Sequence, residues 1–139
     1  MGLFDKLSGH KEISLSPQAG LLLAAITMVA IHGDVDEDEL AVIRRLDGSG
    51  TTEALESALK TYRAKSIKEC VDLAAAAMSP DQRLVAVANL IDIAMADGGL
   101  AGAEKALLEA YVSAFGVRES AVAQIVEVIA TKNNKALFA

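Results

Sequence analysis

Two short acidic stretches of this 139-residue chain contain the side chains that could bind a divalent metal ion. The first is a histidine followed closely by carboxylates, and the second is an aspartate and a glutamate on either side of a glycine pair. Carboxylate oxygens are the ligands that Ca²⁺ and Mg²⁺ prefer, and a neighbouring imidazole favours Zn²⁺ or another transition metal. The predicted metal ligands are His32, Asp34, Asp36, Glu39, Asp97 and Glu104.

The same side chains also suit the caps of helices. Asp36 with Glu39 three residues later has the spacing of a capping box. Asp97 stands at the end of a helical pattern, where the helix dipole disfavours a carboxylate by about 0.3–1 kcal/mol. It could instead accept hydrogen bonds from the helix that begins near Gly102. His32, at the end of another helix, is favoured by the same dipole. The residues alone therefore leave metal binding and helix capping open.

The first stretch offers more donors than the second, so it is the better candidate for a single site. The alternation of Asp34, Asp36 and Asp38 is similar to the start of an EF-hand loop. That loop requires glycine where Glu39 stands and glutamate where Arg45 stands, so an EF-hand is excluded.

Start and stop signals flank both stretches and predict helices along the chain. Ser79-Pro80 with Gln82 combines an N-cap, a proline in the first turn and a capping box. Gly33 and Gly98 end the two apolar helices that precede the acidic stretches. No alternation typical of strands is present. The predicted helices run over about 17–33, 36–46, 51–65, 66–77, 79–98, 102–115 and 118–131.

Composition supports an all-α fold, a single bundle of about seven helices. Hydrophobic residues make up 53% of the chain but aromatic residues only 4%. The core should therefore consist of small aliphatic side chains, which suit closely packed helices. The helices that precede Gly33 and Gly98 are nearly free of charge. We expect these two helices to be central in the bundle.

The charge and the cysteine content of the chain limit the classes of function that it could have. A formal net charge of −6 disfavours binding to nucleic acid. The one cysteine, Cys70, cannot form an internal disulfide, which suits the cytoplasm. The longest apolar stretch is shorter than the roughly 20 residues that span a bilayer. No spacing of Ser, His and Asp, or of Cys and His, indicates a catalytic nucleophile with its base. We expect a cytoplasmic protein without a transmembrane segment that is not an enzyme.

The two halves of the chain repeat each other at a constant offset of 65 residues, which places His32 over Asp97. Residues 26–39 and 91–104 each have the pattern of a helix, a glycine turn and an acidic helix start. This repeat predicts a duplicated helical hairpin. The helical domain is expected over 17–132, between a segment over 1–16 that could form one short amphipathic helix and a tail over 133–139.

These residues resemble the TerB family of tellurite-resistance proteins, which are small and all-helical. The resemblance lies in the run from Ala94 to Leu100 followed by Glu104, since the family has an Ala-x-x-Asp-Gly turn with a glutamate two turns later. It extends over most of the chain, from about Pro17 to Val128. Further matching residues are Ala30, Gly33, Val35, Glu39, Ser79-Pro80-Asp81-Gln82-Arg83 and Phe115-Gly116-Val117.

The resemblance implies a bundle of about seven helices, an acidic surface where the two turns meet, divalent-metal binding, and a role in bacterial resistance to tellurite and related stresses. His32 stands where the family motif has aspartate, so the two turns are not equivalent. The identity of the partners stays open. They could be unidentified proteins, for example in a membrane-associated stress-response complex, or further copies of the chain in a homo-oligomer. The alternative function is a non-enzymatic helical interaction module whose acidic turns are only caps.

Overall fold

The computed structural model describes residues 14–33, 35–48, 50–96 and 102–138. Throughout these ranges the regular structure is helical and no strand is present, so the predicted all-α fold is confirmed. Each α-helix begins close to its predicted start. The α-helices are α1 (Pro17–Val29), α2 (Glu37–Leu46), α3 (Glu53–Ala64), α4 (Ile67–Ala77), α5 (Pro80–Met95), α6 (Gly102–Phe115) and α7 (Glu119–Lys132), and 3₁₀ helices lie at Ala30–His32 and Lys135–Phe138.

Side-chain caps begin four of these helices, as their sequences predict. Capping boxes form at the starts of α2, α4 and α5, where Asp36, Ser66 and Ser79 each accept a hydrogen bond from the backbone three residues later. Ser16 caps α1 in the same way. At the start of α4, hydrogen bonds from Ser66 hold the pKa of the Glu69 carboxyl below its usual value, and the bond from the Ser66 backbone N–H contributes most. Each cap satisfies a backbone N–H that has no partner within its helix, so the caps set where these helices begin.

Helix α1 is the centre of the bundle. It packs against α3, α4 and α5, and every residue from Ala19 to Met28 except Leu21 is buried. Helix α5 is buried along one side, where Ile91 is fully enclosed, whereas Val85 is 58% exposed. The predicted central position of the charge-poor helices is therefore confirmed for α1, and α5 contributes one buried stripe.

Helix α7 closes the second half of the bundle by packing against α5. Val122, Ile125 and Ile129 are partly buried against the core. The Lys132 Nζ forms an ion pair with the Asp92 Oδ1 of α5 at 3.2 Å, and both side chains are largely exposed. An exposed ion pair contributes only about 0–1 kcal/mol, so apolar contact is the main force that holds α7.

The ends of the chain add little to the described bundle. The amphipathic turn predicted within 1–16 falls mostly on residues 1–13, which lie outside the described part of the chain. The tail over 133–139 contains the 3₁₀ helix Lys135–Phe138, whose Leu137 and Phe138 are exposed. Among the described residues, no helix is both long enough and apolar enough to cross a membrane.

Candidate functional site

The two acidic helix starts face one pocket of about 200 Å³. It is bounded by the end of α1, the first turns of α2, the end of α5 and the first turn of α6. Among the described residues that line it, Glu39 of α2 and Glu104 of α6 are charged, and the remaining wall is apolar. The lining residues are Met28, Val29, Glu39, Val42, Ile93, Ala94, Ala96 and Glu104.

Glu39 and Glu104 occupy the same position in their helices. Each is the third residue of its helix, counted from Glu37 in α2 and from Gly102 in α6, and each is partly buried. A carboxylate in the first turn of a helix is stabilised by the partial positive charge of the free N–H groups there. The fold therefore holds two carboxylates at one pocket, each at a helix start.

A capping box joins Asp36 and Glu39 at the first of these starts. The Asp36 Oδ1 accepts a hydrogen bond from the Glu39 N–H at 2.8 Å, and the Glu39 Oε1 accepts one from the Asp36 N–H at 3.2 Å. The predicted capping role of Asp36 is thereby confirmed. Asp36 is exposed and is not among the described residues that line the pocket. The capping box uses one oxygen of each carboxylate. The second oxygen of Glu39 is therefore available to bind an ion or a molecule in the pocket.

The turn that precedes α2 depends on glycine. Gly33 follows the 3₁₀ helix Ala30–His32 with a φ of 132°, in a region that residues with a Cβ rarely adopt. The backbone of His32 ends that 3₁₀ helix, whereas its side chain, Asp34 and Asp97 lie outside the described part of the structure. Of the predicted ligands, the described structure thus brings Glu39 and Glu104 together.

Three pairs of pocket residues are separated by 65 positions, the offset of the sequence repeat. The pairs are Met28 with Ile93, Val29 with Ala94, and Glu39 with Glu104. The pocket therefore takes matching positions from both aligned stretches, and the starts of α2 and α6 meet at one end of the bundle.

The described residues do not complete a metal site. No group of three or more His, Cys, Asp or Glu side chains in the described ranges is arranged to hold an ion. Glu39 and Glu104 would supply two ligands, and Ca²⁺ takes about six to eight oxygens. The other ligands would have to come from water and from the predicted ligands beyond the described ranges.

A buried hydrogen bond next to this pocket has no signal in the sequence patterns. The Thr27 Oγ1 lies 2.5 Å from the Tyr111 Oη, although the two residues are 84 positions apart. Thr27 is 1% exposed and Tyr111 is 0% exposed. The sequence shows only that Thr27 is a polar residue within an apolar run. This position does not identify Tyr111 as its hydrogen-bond partner.

The lone cysteine is a core residue. Cys70 is fully buried in α4, and burial, with a smaller contribution from Glu69, raises the pKa of its thiol. A thiol of this kind is rarely ionised and is a poor nucleophile or metal ligand.

These features describe an all-α bundle in which two acidic helix starts share a pocket. The family model described as Tellurite resistance protein TerB matches residues 18–127. The chain therefore belongs to the TerB family, and the resemblance carried by its turn residues is confirmed. Comparison with curated proteins found no match, and neither did comparison with solved structures.

Proposed function

We propose that this TerB-family protein binds one divalent cation in the pocket between α2 and α6, as part of a bacterial response to tellurite and related stresses. The observation that carries the proposal is the meeting of Glu39 and Glu104 in one pocket. Further ligands would come from water and from three predicted ligands that are close to these helix starts in the sequence, the side chains of His32, Asp34 and Asp97.

Electrostatics favours a cation at this position. Among the described residues that line the pocket, the charged ones are Glu39 and Glu104, and both are acidic. A cation between the two carboxylates would replace their repulsion with attraction. Carboxylate oxygens suit Ca²⁺ and Mg²⁺, whereas the imidazole of His32 would favour Zn²⁺.

The pocket supports one shared site rather than a separate site in the first stretch. The first stretch contains more candidate ligands, but one oxygen of Asp36 and one oxygen of Glu39 are engaged in the capping box. Glu104 reaches the same pocket from the second stretch. A shared site binds one ion per chain.

Replacing either pocket glutamate is expected to remove most of the metal binding. Glutamine can retain the capping-box hydrogen bond of Glu39 but not its charge, so Glu39→Gln separates metal binding from capping. Glu104→Gln makes the same change of charge at the start of α6. For the parent protein we expect stabilisation on titration with Ca²⁺, Mg²⁺ or Zn²⁺, by about 2.7 kcal/mol at a hundredfold excess over Kd. The melting temperature measures the stabilisation, and calorimetry measures the number of ions bound.

Glu109→Gln is the matched control, because Glu109 is an exposed glutamate on the same helix as Glu104. A shared site predicts one ion per chain and loss of binding in either pocket variant. Two independent sites would instead leave half of the bound ions in each variant. An unchanged melting temperature of the parent protein at millimolar metal would contradict metal binding and favour the interaction module.

The pH dependence of Zn²⁺ binding tests His32. A ligating imidazole must be neutral, so binding through His32 is expected to be lost as the pH falls below about 6, whereas binding by carboxylates alone should persist to about pH 5. Calorimetric titration with Zn²⁺ above and below pH 6 measures the affinity of the parent protein, His32→Ala and Asp97→Ala. His10→Ala is the control. An unchanged affinity and pH profile in His32→Ala, with loss of binding in Asp97→Ala, would exclude His32 as a ligand.

We further propose that the protein acts in the cytoplasm without catalysing a reaction. The support comes from its single cysteine and from the lack of any spacing that indicates a nucleophile with its base. The net charge of −6 argues against a nucleic-acid partner. A protein partner, in a membrane-associated stress-response complex or in a homo-oligomer, is compatible with these features.

A helical interaction module is the second candidate function. A groove of about 610 Å³ between α6 and α7 is lined in part by Leu108, Val112, Val117 and Val122. No residue of α7 is fully buried, and its Val128 is 66% exposed. Exposed apolar surface of this kind is typical of protein contacts, so the groove favours this alternative if the metal titration shows no binding.

A further inference from the structure

Tyr111 and Thr27 form a buried hydrogen-bonded pair that joins α6 to α1. The Thr27 hydroxyl donates to the Ala24 carbonyl oxygen at 2.8 Å. A threonine hydroxyl has one hydrogen, so Tyr111 must be the donor in its bond with Thr27. The two bonds therefore form a chain that runs from Tyr111 through Thr27 to the backbone of α1.

Tyr111 is held at both its hydroxyl and its ring. Burial raises the pKa of Tyr111 far above its usual value, so the hydroxyl stays protonated and remains a donor across the physiological pH range. The ring contacts Phe115 edge to face, with the ring centroids 5.3 Å apart. The pair is therefore a fixed link between the two helices.

Both ends of this link are close to the pocket along their helices. Thr27 is followed by Met28 and Val29, which line the pocket. Tyr111 follows Glu104 by two turns of α6, which places both residues on the same face and about 10 Å apart along the helix axis. The hydrogen bond thus joins the helix that carries Glu104 to the helix that forms part of the pocket wall.

We infer that Tyr111 is a positioning residue that sets the separation of Glu104 from Glu39. Apolar contact between helices is non-directional, whereas a hydrogen bond weakens steeply with distance and angle. The Tyr111 hydroxyl therefore fixes the position of α6 along α1. Glu39 is tied to α1 from the other side, because Ile43, one turn later in α2, is fully buried in the same cluster as Ile26 of α1. The consequence for metal affinity rests on the proposed function, but the separation of the carboxylates does not.

Tyr111→Phe is the decisive variant. It removes the hydroxyl, retains the ring beside Phe115 and leaves Thr27 bonded to the Ala24 carbonyl, so no buried polar atom is left without a hydrogen-bond partner. We expect the Kd of the metal that the parent binds most tightly, among Ca²⁺, Mg²⁺ and Zn²⁺, to rise by up to about tenfold, which is the lower end of the loss seen when a direct hydrogen-bond partner of a metal ligand is removed. Tyr62→Phe removes the other tyrosine hydroxyl of the chain and is the matched control.

Two variants of Thr27 supply an independent arm of the test. Thr27→Ser retains the hydroxyl and is expected to bind metal with the affinity of the parent, whereas Thr27→Val removes the acceptor and should weaken binding as Tyr111→Phe does. All Kd values are measured well below the melting temperatures. An unchanged Kd in Tyr111→Phe, with only a lower free energy of unfolding, is the signature of a purely structural role and would overturn the inference.

A metal-free measurement separates this inference from the proposed function. Nitroxide labels on the Glu39→Cys/Glu104→Cys variant report the separation of the two positions through dipolar broadening of the electron paramagnetic resonance spectrum. Cys70 stays unlabelled, because it is buried and burial raises the pKa of its thiol. Adding Tyr111→Phe should change the broadening, and an unchanged spectrum would overturn the inference. A changed spectrum in a protein that binds no metal would overturn only the proposed function.

Discussion

Replacing Ile91 with alanine is expected to lower the free energy of unfolding by about 2–5 kcal/mol. Ile91 of α5 is fully buried in the cluster that also contains Met28 and Tyr111. The removed carbon atoms lose their burial and leave a cavity that densely packed helices close only in part. Ile26→Ala should cost a similar amount, because Ile26 is fully buried in α1.

Urea unfolding followed by circular dichroism measures these losses, with Val85→Ala as the control. Val85 lies on the same helix as Ile91 but is 58% exposed, so its replacement should change the free energy of unfolding by less than about 0.5 kcal/mol. An unchanged m value would show that the unfolding transition itself is the same. A loss below about 1 kcal/mol for both isoleucines would contradict the core described along α1 and α5.

Introducing valine at Gly20 is expected to lower the free energy of unfolding by about 2–3 kcal/mol, because it overpacks the contact between α1 and α4. A Cβ on Gly20 would lie 2.9 Å from the Ala77 Cβ and 3.4 Å from the Ala74 carbonyl oxygen. Neither neighbour is the end of a flexible side chain, so the helices themselves must shift. The same urea experiment measures the loss.

A double-mutant cycle isolates this helix contact. Gly20→Ala gains about 1 kcal/mol of helix propensity but meets the Ala77 methyl group, which Ala77→Gly removes. We expect the double variant to be more stable than the sum of the single changes predicts, by at least about 0.5 kcal/mol. Additive changes would show that α1 and α4 separate without cost.

Local interactions made the helices and the family predictable before any contact was known. Ser79 and Gln82 hydrogen-bond to each other within a single turn, so their spacing alone indicates where α5 begins. The turn residues that resemble the TerB family are also close together in the sequence, and the family match over residues 18–127 agrees with them.

Burial was predictable only as far as it follows from the composition of a single helix. The charge-free sequence of α1 indicated a central helix, and its residues are buried on almost all sides. The similar pattern of α5 did not reveal that Val85 faces solvent while Ile91 is enclosed. Which face of a helix is covered depends on the neighbours that pack against it, and these come from distant parts of the chain.

The meeting of distant groups required the packed structure. Spacing grouped the candidate ligands into two stretches, and the resemblance to the TerB family implied that the two turns meet. The packing of α1, α2, α5 and α6 decided that Glu39 and Glu104 line one pocket, whereas the capping box engages Asp36. The Thr27 to Tyr111 bond spans 84 positions. The reason is the range over which the interactions act. Helix caps and helix propensities act within a few residues, so they can be predicted along the chain. Contacts between side chains 65 or 84 positions apart depend instead on how the apolar faces of the helices pack together.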